Sequence, residues 1–290
     1  MSFKTNARIA SFGGAIYKLT HDSTSTTTPM NLNIFLPPQA LRTPPTKVPV
    51  LIYLSGLTCT PDNCTDKGFL QHAASRHGIA LVWPDTSPRG LNLPGEQDSY
   101  DFGEAASFYI DATREPFSKG YKMETYLAKE LPETLFSDAE FGRYLDPSRV
   151  SITGHSMGGH GALTLYFKYP GKYKSCSAFA PISNPSACPW GEKAFKGYLG
   201  DDRGEWKKHD ATELVKGFKG DDLRLLIDVG TGDKFYQQGQ LLPENFEKAV
   251  KEAGLQGAEV RYHEDYDHSY YFISSFAEDH VNHAAKYLGV

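Results

Sequence analysis

Gly154-His155-Ser156-Met157-Gly158 sets a serine between two glycines, each two residues away. A serine hydroxyl is a weak nucleophile until a neighbouring base takes its proton. The pattern Gly-x-Ser-x-Gly becomes chemically informative where a strand gives way to a helix, because the sharp turn lifts the hydroxyl above the sheet. That context is present. The predicted strand Val150-Ser151-Ile152-Thr153 precedes the serine, and a helical pattern begins near Gly158. The turn strains the serine backbone and excludes side chains two positions to either side. Gly158, Gly159 and Gly161 also leave room for the helix to approach neighbouring strands. Ser156 is therefore the candidate nucleophile for acyl transfer, with the helix N-terminus favouring developing negative charge.

Where such an elbow occurs, the acid and then the base follow the serine along the chain. The histidines available are His160, His209, His263, His268, His280 and His283. His160 falls on the helix after the elbow, His280 and His283 on the last helix, and His263 at or in a strand. His268 alone falls in a loop between a late strand and the terminal helix, so it is the candidate base. Asp233 is the first carboxylate beyond the run Leu223 to Val229 and is the candidate acid. Asp228 competes, but it lies inside the strand, where its carboxylate is expected to be hard to aim at an imidazole. Asp265 and Asp267 are too close to His268 along the chain. In this reading His268 takes the Ser156 proton, and Asp233 fixes the imidazole tautomer and stabilises the imidazolium. Two backbone N–H groups must then meet the oxyanion: Met157, next to the nucleophile, and Leu57, in the loop after the first core strand.

These residues need a scaffold, and the chain alternates short apolar runs with longer helical patterns, the signature of a mainly parallel sheet covered by helices. Core strands are predicted at Val50–Leu54, Ile79–Trp83, Val150–Thr153, Cys176–Ala180, Leu223–Val229 and Glu259–Tyr262. The N-terminal forty residues, including Asn31–Leu36, read as antiparallel strands at one edge. Pro37 to Pro49 reads as an exposed loop, since proline cannot sit in a central ladder. Helices are predicted over Glu124–Leu135 and Pro243–Ala253, and a last one with Phe272, Phe276, His280 and Ala284 on its docked face. No internal repeat or second core is evident, so one domain over residues 1–290 is expected. The long, aromatic-rich interval Asp85–Gly120 is expected over the carboxyl edge of the sheet, where such folds bind ligands.

Composition narrows the classes. The chain has 290 residues, 40% hydrophobic, 13% aromatic and 22% charged, with a formal net charge of −5. Nothing in that balance attracts nucleic acid or an anionic membrane. No stretch approaches the roughly twenty apolar residues of a membrane-spanning helix, and Met1–Gly14 carries no signal-peptide run. A cytoplasmic protein with reduced thiols at Cys59, Cys64, Cys176 and Cys188 is expected. No cysteine–histidine spacing suggests zinc, and no metal or cofactor is expected.

Further motifs stand in order along the chain: Gly56-Leu57-Thr58-Cys59-Thr60, Pro84-Asp85-Thr86-Ser87-Pro88-Arg89-Gly90, Tyr100-Asp101-Phe102-Gly103, Pro189-Trp190-Gly191 with Lys193-Ala194-Phe195, and Asp267-His268-Ser269-Tyr270-Tyr271-Phe272. With the elbow, this set resembles the S-formylglutathione hydrolase (esterase D) family nearly end to end. The resemblance implies a single α/β-hydrolase domain, mostly parallel, with antiparallel N-terminal strands and helices on both faces. It implies hydrolysis of S-formylglutathione to glutathione and formate in formaldehyde detoxification, with cleavage of small carboxylic esters as well. It also implies a cytosolic, metal-free, commonly dimeric enzyme whose triad maps onto Ser156, Asp233 and His268. The partner is then a small glutathione thioester, with no nucleic acid and no membrane. Two departures fall in the long interval: Tyr100 stands where the family often has Trp, and Glu104-Ala105-Ala106-Ser107 where it is richer in glycine. Cys59 and Trp190 are the candidates for lining the substrate pocket. A general carboxylesterase or acyltransferase would use the same triad. A non-catalytic binding protein on this fold would usually have lost a triad member.

Overall fold

A computed structural model describes residues 2–220 and 222–290. The chain opens with β1 (Lys4–Ser11) and β2 (Gly14–Asp22), an antiparallel hairpin. They are joined by Phe12-Gly13, both at positive φ (45° and 76°), the geometry that matches the natural twist of paired strands. β3 (Pro29–Leu36) returns beside β2. Next come β4 (Val48–Leu54), β5 (Ala80–Pro84), β6 (Leu145–His155), β7 (Cys176–Phe179), β8 (Leu225–Gly230) and β9 (Ala258–His263). Among the described residues these form one nine-stranded sheet in the order β1-β2-β3-β5-β4-β6-β7-β8-β9. Pairing is antiparallel as far as β3–β5 and parallel from β5–β4 onward. The fold is the expected one, an α/β sheet with antiparallel strands at its N-terminal edge.

All seven residues of β4 are buried, as the continuous apolar run implies for a strand covered on both faces. Pro49, expected in the loop, lies within this strand. The β4–β6 register shifts between Val48 and Val50, so the residue without an N–H sits at an irregularity of the ladder. β6 also starts earlier than expected, its first turn-like residues Asp146-Pro147-Ser148-Arg149 giving no apolar signal.

The strand order carries the functional geometry. From β4 the chain steps outward to β5, then crosses back to place β6 on the other side of β4. Loops leaving the carboxyl ends of β4 and β6 therefore diverge, which opens a crevice at the switch point. The β4 loop carries Gly56 and Leu57, and the β6 turn carries Ser156.

Helices cover the sheet. Met157–Lys168 is buried along nearly its whole length, and Tyr270–Leu288 packs through Phe272, Ile273, Ala277, His280, Val281 and Ala284, with Phe276 half-buried. The helix expected over Glu124–Leu135 runs from Met123 to Ser137. Its middle, Tyr126–Glu130, is π-wound just ahead of Pro132, whose missing N–H interrupts the regular ladder. Between β5 and Phe117 the chain has only isolated bridges. No helix among the described residues is long and apolar enough to cross a membrane.

Candidate active site

Ser156 stands at φ 59° and ψ −118°, a backbone conformation that L-residues rarely adopt. The flanking glycines explain how the turn closes. A Cβ on Gly154 would lie 2.2 Å from the Gly158 carbonyl oxygen, and one on Gly158 would lie 2.0 Å from that of Leu54 in β4. Gly161 serves a different approach from the one expected: its Cβ would meet the ring of Tyr109 at 2.6 Å, so it admits the long loop and not a strand. Ser156 N–H donates to the Phe179 carbonyl at 2.9 Å, and the Ser156 carbonyl accepts from His160 N–H at 3.0 Å, starting the helix.

Asp233 follows β8 as expected and caps the short helix Lys234–Gln237. Its Oδ1 accepts from the N–H groups of Phe235 (2.7 Å) and Tyr236 (3.4 Å). Those bonds fix the carboxylate so that Oδ2 accepts from His268 Nδ1 at 2.5 Å. Asp233 is fully buried. The hydrogen bond sets His268 in the tautomer whose Nε2 is free for a serine proton. The turns carrying the pair are tied together: Thr231 N–H donates to the His263 carbonyl at 2.9 Å, and Asp265 N–H to Thr231 Oγ1 at 3.2 Å.

Ser156 and His268 line one cavity of about 180 Å³ with Gly56, Leu57, Cys59 and Trp190. The Leu57 loop approaches Ser156 closely, since a Cβ on Gly56 would lie 3.2 Å from Ser156 Cβ. Long-loop contacts hold this segment. Thr58 N–H donates to the Ala105 carbonyl at 3.0 Å. The Cys59 carbonyl accepts from Thr86 Oγ1 (2.6 Å) and Arg89 Nη2 (3.0 Å). Met157 opens its helix, where backbone N–H groups have no intrahelical partner.

Both pocket candidates reach the cavity. Cys59 Sγ lies 3.8 Å from the Tyr270 hydroxyl, and burial pushes its thiol pKa up, so it sits there as a neutral thiol. Trp190 Nε1 donates to the Tyr100 hydroxyl at 3.2 Å and its ring packs 4.6 Å from that of Phe235. Phe235 in turn meets the His268 ring edge-on at 4.9 Å.

Phe235, Tyr270 and His155 also line the cavity without having been singled out in the sequence. A signal was present. Phe235 and Tyr270 each stand two residues past a triad candidate, so the turns that deliver the carboxylate and the imidazole deliver aromatic walls too. His155 lies beside Ser156, with its ring centroid 4.4 Å from that of His268. Burial, and then the neighbouring His268, hold its pKa well below the ordinary value. It stays neutral and adds no positive charge beside Ser156.

Asp228 overturns one expectation. Strand position does not keep its carboxylate from imidazoles. It is fully buried, accepts from Arg261 Nε and Nη2 at 2.6 Å each and from His280 Nε2 at 3.1 Å, and lies 3.2 Å from His263 Nε2. Its partners come from β9 and the terminal helix, which it joins, and His268 is not among them. No cluster of three or more His, Cys, Asp or Glu suited to a metal occurs among the described residues.

A family described as "Putative esterase" matches residues 23–283. The S-formylglutathione hydrolase of Rattus norvegicus is 51% identical over 277 residues, covering 96% of this chain and 95% of the relative. That of Arabidopsis thaliana is 50% identical over 277 residues with the same coverage. A solved structure of an S-formylglutathione hydrolase from Agrobacterium tumefaciens superposes with a TM-score of 0.92 at 44% identity, all of both chains being covered. Such identity over nearly the full length, on the same fold, places the chain in the S-formylglutathione hydrolase family of esterases.

Proposed function

We propose that the chain hydrolyses S-formylglutathione to glutathione and formate through an acyl-serine on Ser156. His268 takes the Oγ proton as the hydroxyl attacks the formyl carbon, and Asp233 stabilises the resulting imidazolium. The Leu57 and Met157 N–H groups receive the oxyanion; losing one such donor typically costs about 2.7–4 kcal/mol of transition-state stabilisation. The C–S bond then breaks and the thiolate takes the His268 proton. Water, deprotonated by His268, attacks the formyl-enzyme and releases formate. A thiolate leaves more readily than an alkoxide, so this chemistry asks little of His268 as an acid. No cofactor enters.

The observation that carries the reading is the Asp233–His268 pair at 2.5 Å, set on the cavity that Ser156 also lines. The small volume suits a formyl group, and Cys59 and Trp190 are taken as its walls. We also take residues 1–290 as one catalytic domain, supported by a single sheet that gathers strands from Lys4 to His263. A cytoplasmic location is supported by four cysteines that are all free thiols. The homodimer is carried over from the family resemblance. Comparing kcat/KM for S-formylglutathione with that for p-nitrophenyl acetate tests the substrate. The thioester is expected to be preferred by orders of magnitude, and preference for the aryl ester would instead mark a general carboxylesterase.

A further inference from the structure

The cavity above Ser156, about 180 Å³, is smaller than the roughly 300–1,000 Å³ that drug-sized ligands fill. A formyl thioester group fits there, whereas a tripeptide thiol must continue beyond it. Tyr270 belongs to both this cavity and a second groove of about 410 Å³ that also holds Asp66, Lys67, Phe69, Tyr271 and Ser274. The groove is walled by aromatic rings that the fold leaves open, with Phe69 62% and Tyr271 85% exposed. Tyr270 is a wall common to both, so the groove lies directly beside the cavity that Ser156 lines.

Charge points the same way. Arg89 is committed to Asp85 and Glu104, and Lys193 to Asp101. Lys67, at the end of the helix Pro61–Lys67, is exposed, stands 6.0 Å from the Tyr270 ring centroid and is not ion-paired among the described residues. Asp66 beside it is exposed and lines the same groove. A glutathionyl group carries two carboxylates and one ammonium, with a carboxylate and the ammonium on a single carbon at the γ-glutamyl end. Adjacent side chains of opposite charge complement that head.

We infer that the Lys67–Asp66 groove binds the glutathionyl half of the thioester, Lys67 taking a carboxylate and Asp66 the γ-glutamyl ammonium; this rests on the thioesterase reading above. The groove sets affinity for the leaving group and takes no part in the chemistry at the formyl carbon.

The test uses two thioesters with the same acyl group, S-formylglutathione and the formyl thioester of N-acetylcysteamine, which has no carboxylate. Lys67→Met is expected to raise KM for S-formylglutathione about tenfold, the scale of one partly exposed charge-assisted contact, with kcat near wild type. Its kcat/KM for the N-acetylcysteamine thioester should not change, and Lys67→Arg should keep most of the wild-type KM. Asp66→Asn should raise KM for S-formylglutathione alone. A Lys67→Met variant that slows both thioesters in parallel, or neither, overturns the assignment. Wild-type enzyme that handles the two thioesters equally well removes the glutathione reading itself, and this site with it.

Discussion

At Ser156 and Ala105 the same physical problem has two solutions. Ser156 is held at φ 59° because the glycines around it let β4 and its own helix close on the turn, and the conformation is part of presenting the hydroxyl. Ala105 also stands at φ 59°, in the stretch where the family resemblance calls for more glycine. Its carbonyl receives Thr58 N–H and its own N–H donates to Ser87 Oγ at 2.8 Å, so the strain is borne where the long loop braces the loop after β4. An L-side chain at such a φ costs about 1–2 kcal/mol, and glycine returns part of that as unfolded-chain entropy. Ala105→Gly is therefore expected to stabilise the protein by about 0.5–1 kcal/mol, read as a higher urea midpoint. A lower midpoint would show that Ala105 is not strained.

At the scale of elements, the turns after β8 and β9 carry Asp233 and His268, and Asp228 adds a side-chain tie between β8, β9 and the terminal helix to the backbone ladders. Arg261 reaches it from β9 and His280 from the terminal helix, while Arg261 also pairs with Asp279 at 2.9 Å. The His280 ring stacks on Phe179 of β7 at 3.5 Å. Arg261 first, then His280, hold the Asp228 pKa far below the ordinary carboxylate range against the opposing effect of burial. Removing one partner of a buried ion pair leaves the other uncompensated, at about 3–5 kcal/mol. Asp228→Asn should lose stability on that scale in urea unfolding, and an unchanged midpoint would remove Asp228 from this role. The sequence showed the carboxylate but not its partners, because Arg261, His263 and His280 come together only when β9 and the last helix dock.

Over the whole molecule, what was legible followed the strength of the apolar pattern. Strands buried on both faces, such as β4 and β5, announce themselves by continuous runs, and the elbow by glycine spacing. The order of β5 before β4, which makes the crevice, leaves no local trace. Pro49 inside β4 and the polar start of β6 are long-range pairings that propensity opposes. The site was legible where backbone geometry demands particular residues, and obscure where only shape matters, as at Phe235 and Tyr270.

Buried histidines give the whole chain a pH signature. Burial lowers the pKa values of His21, His155, His160 (to about 3) and His280. Unfolded, each binds a proton near its ordinary value of about 6.5. Their contribution to stability is fully present above that value and is lost as pH falls toward the folded values, because the unfolded chain then binds more protons. Each histidine contributes up to about 1.4 kcal/mol per pH unit in that window. Urea midpoints should be lower at pH 5.5 than at pH 7.5; equal or higher midpoints at pH 5.5 would contradict this.

If Ser156 carries the acyl group, turnover of S-formylglutathione must collapse in Ser156→Ala. The variant is expected to lose about 10⁴-fold or more in kcat/KM, with the melting temperature unchanged. Activity within about tenfold of wild type in the folded variant would contradict it.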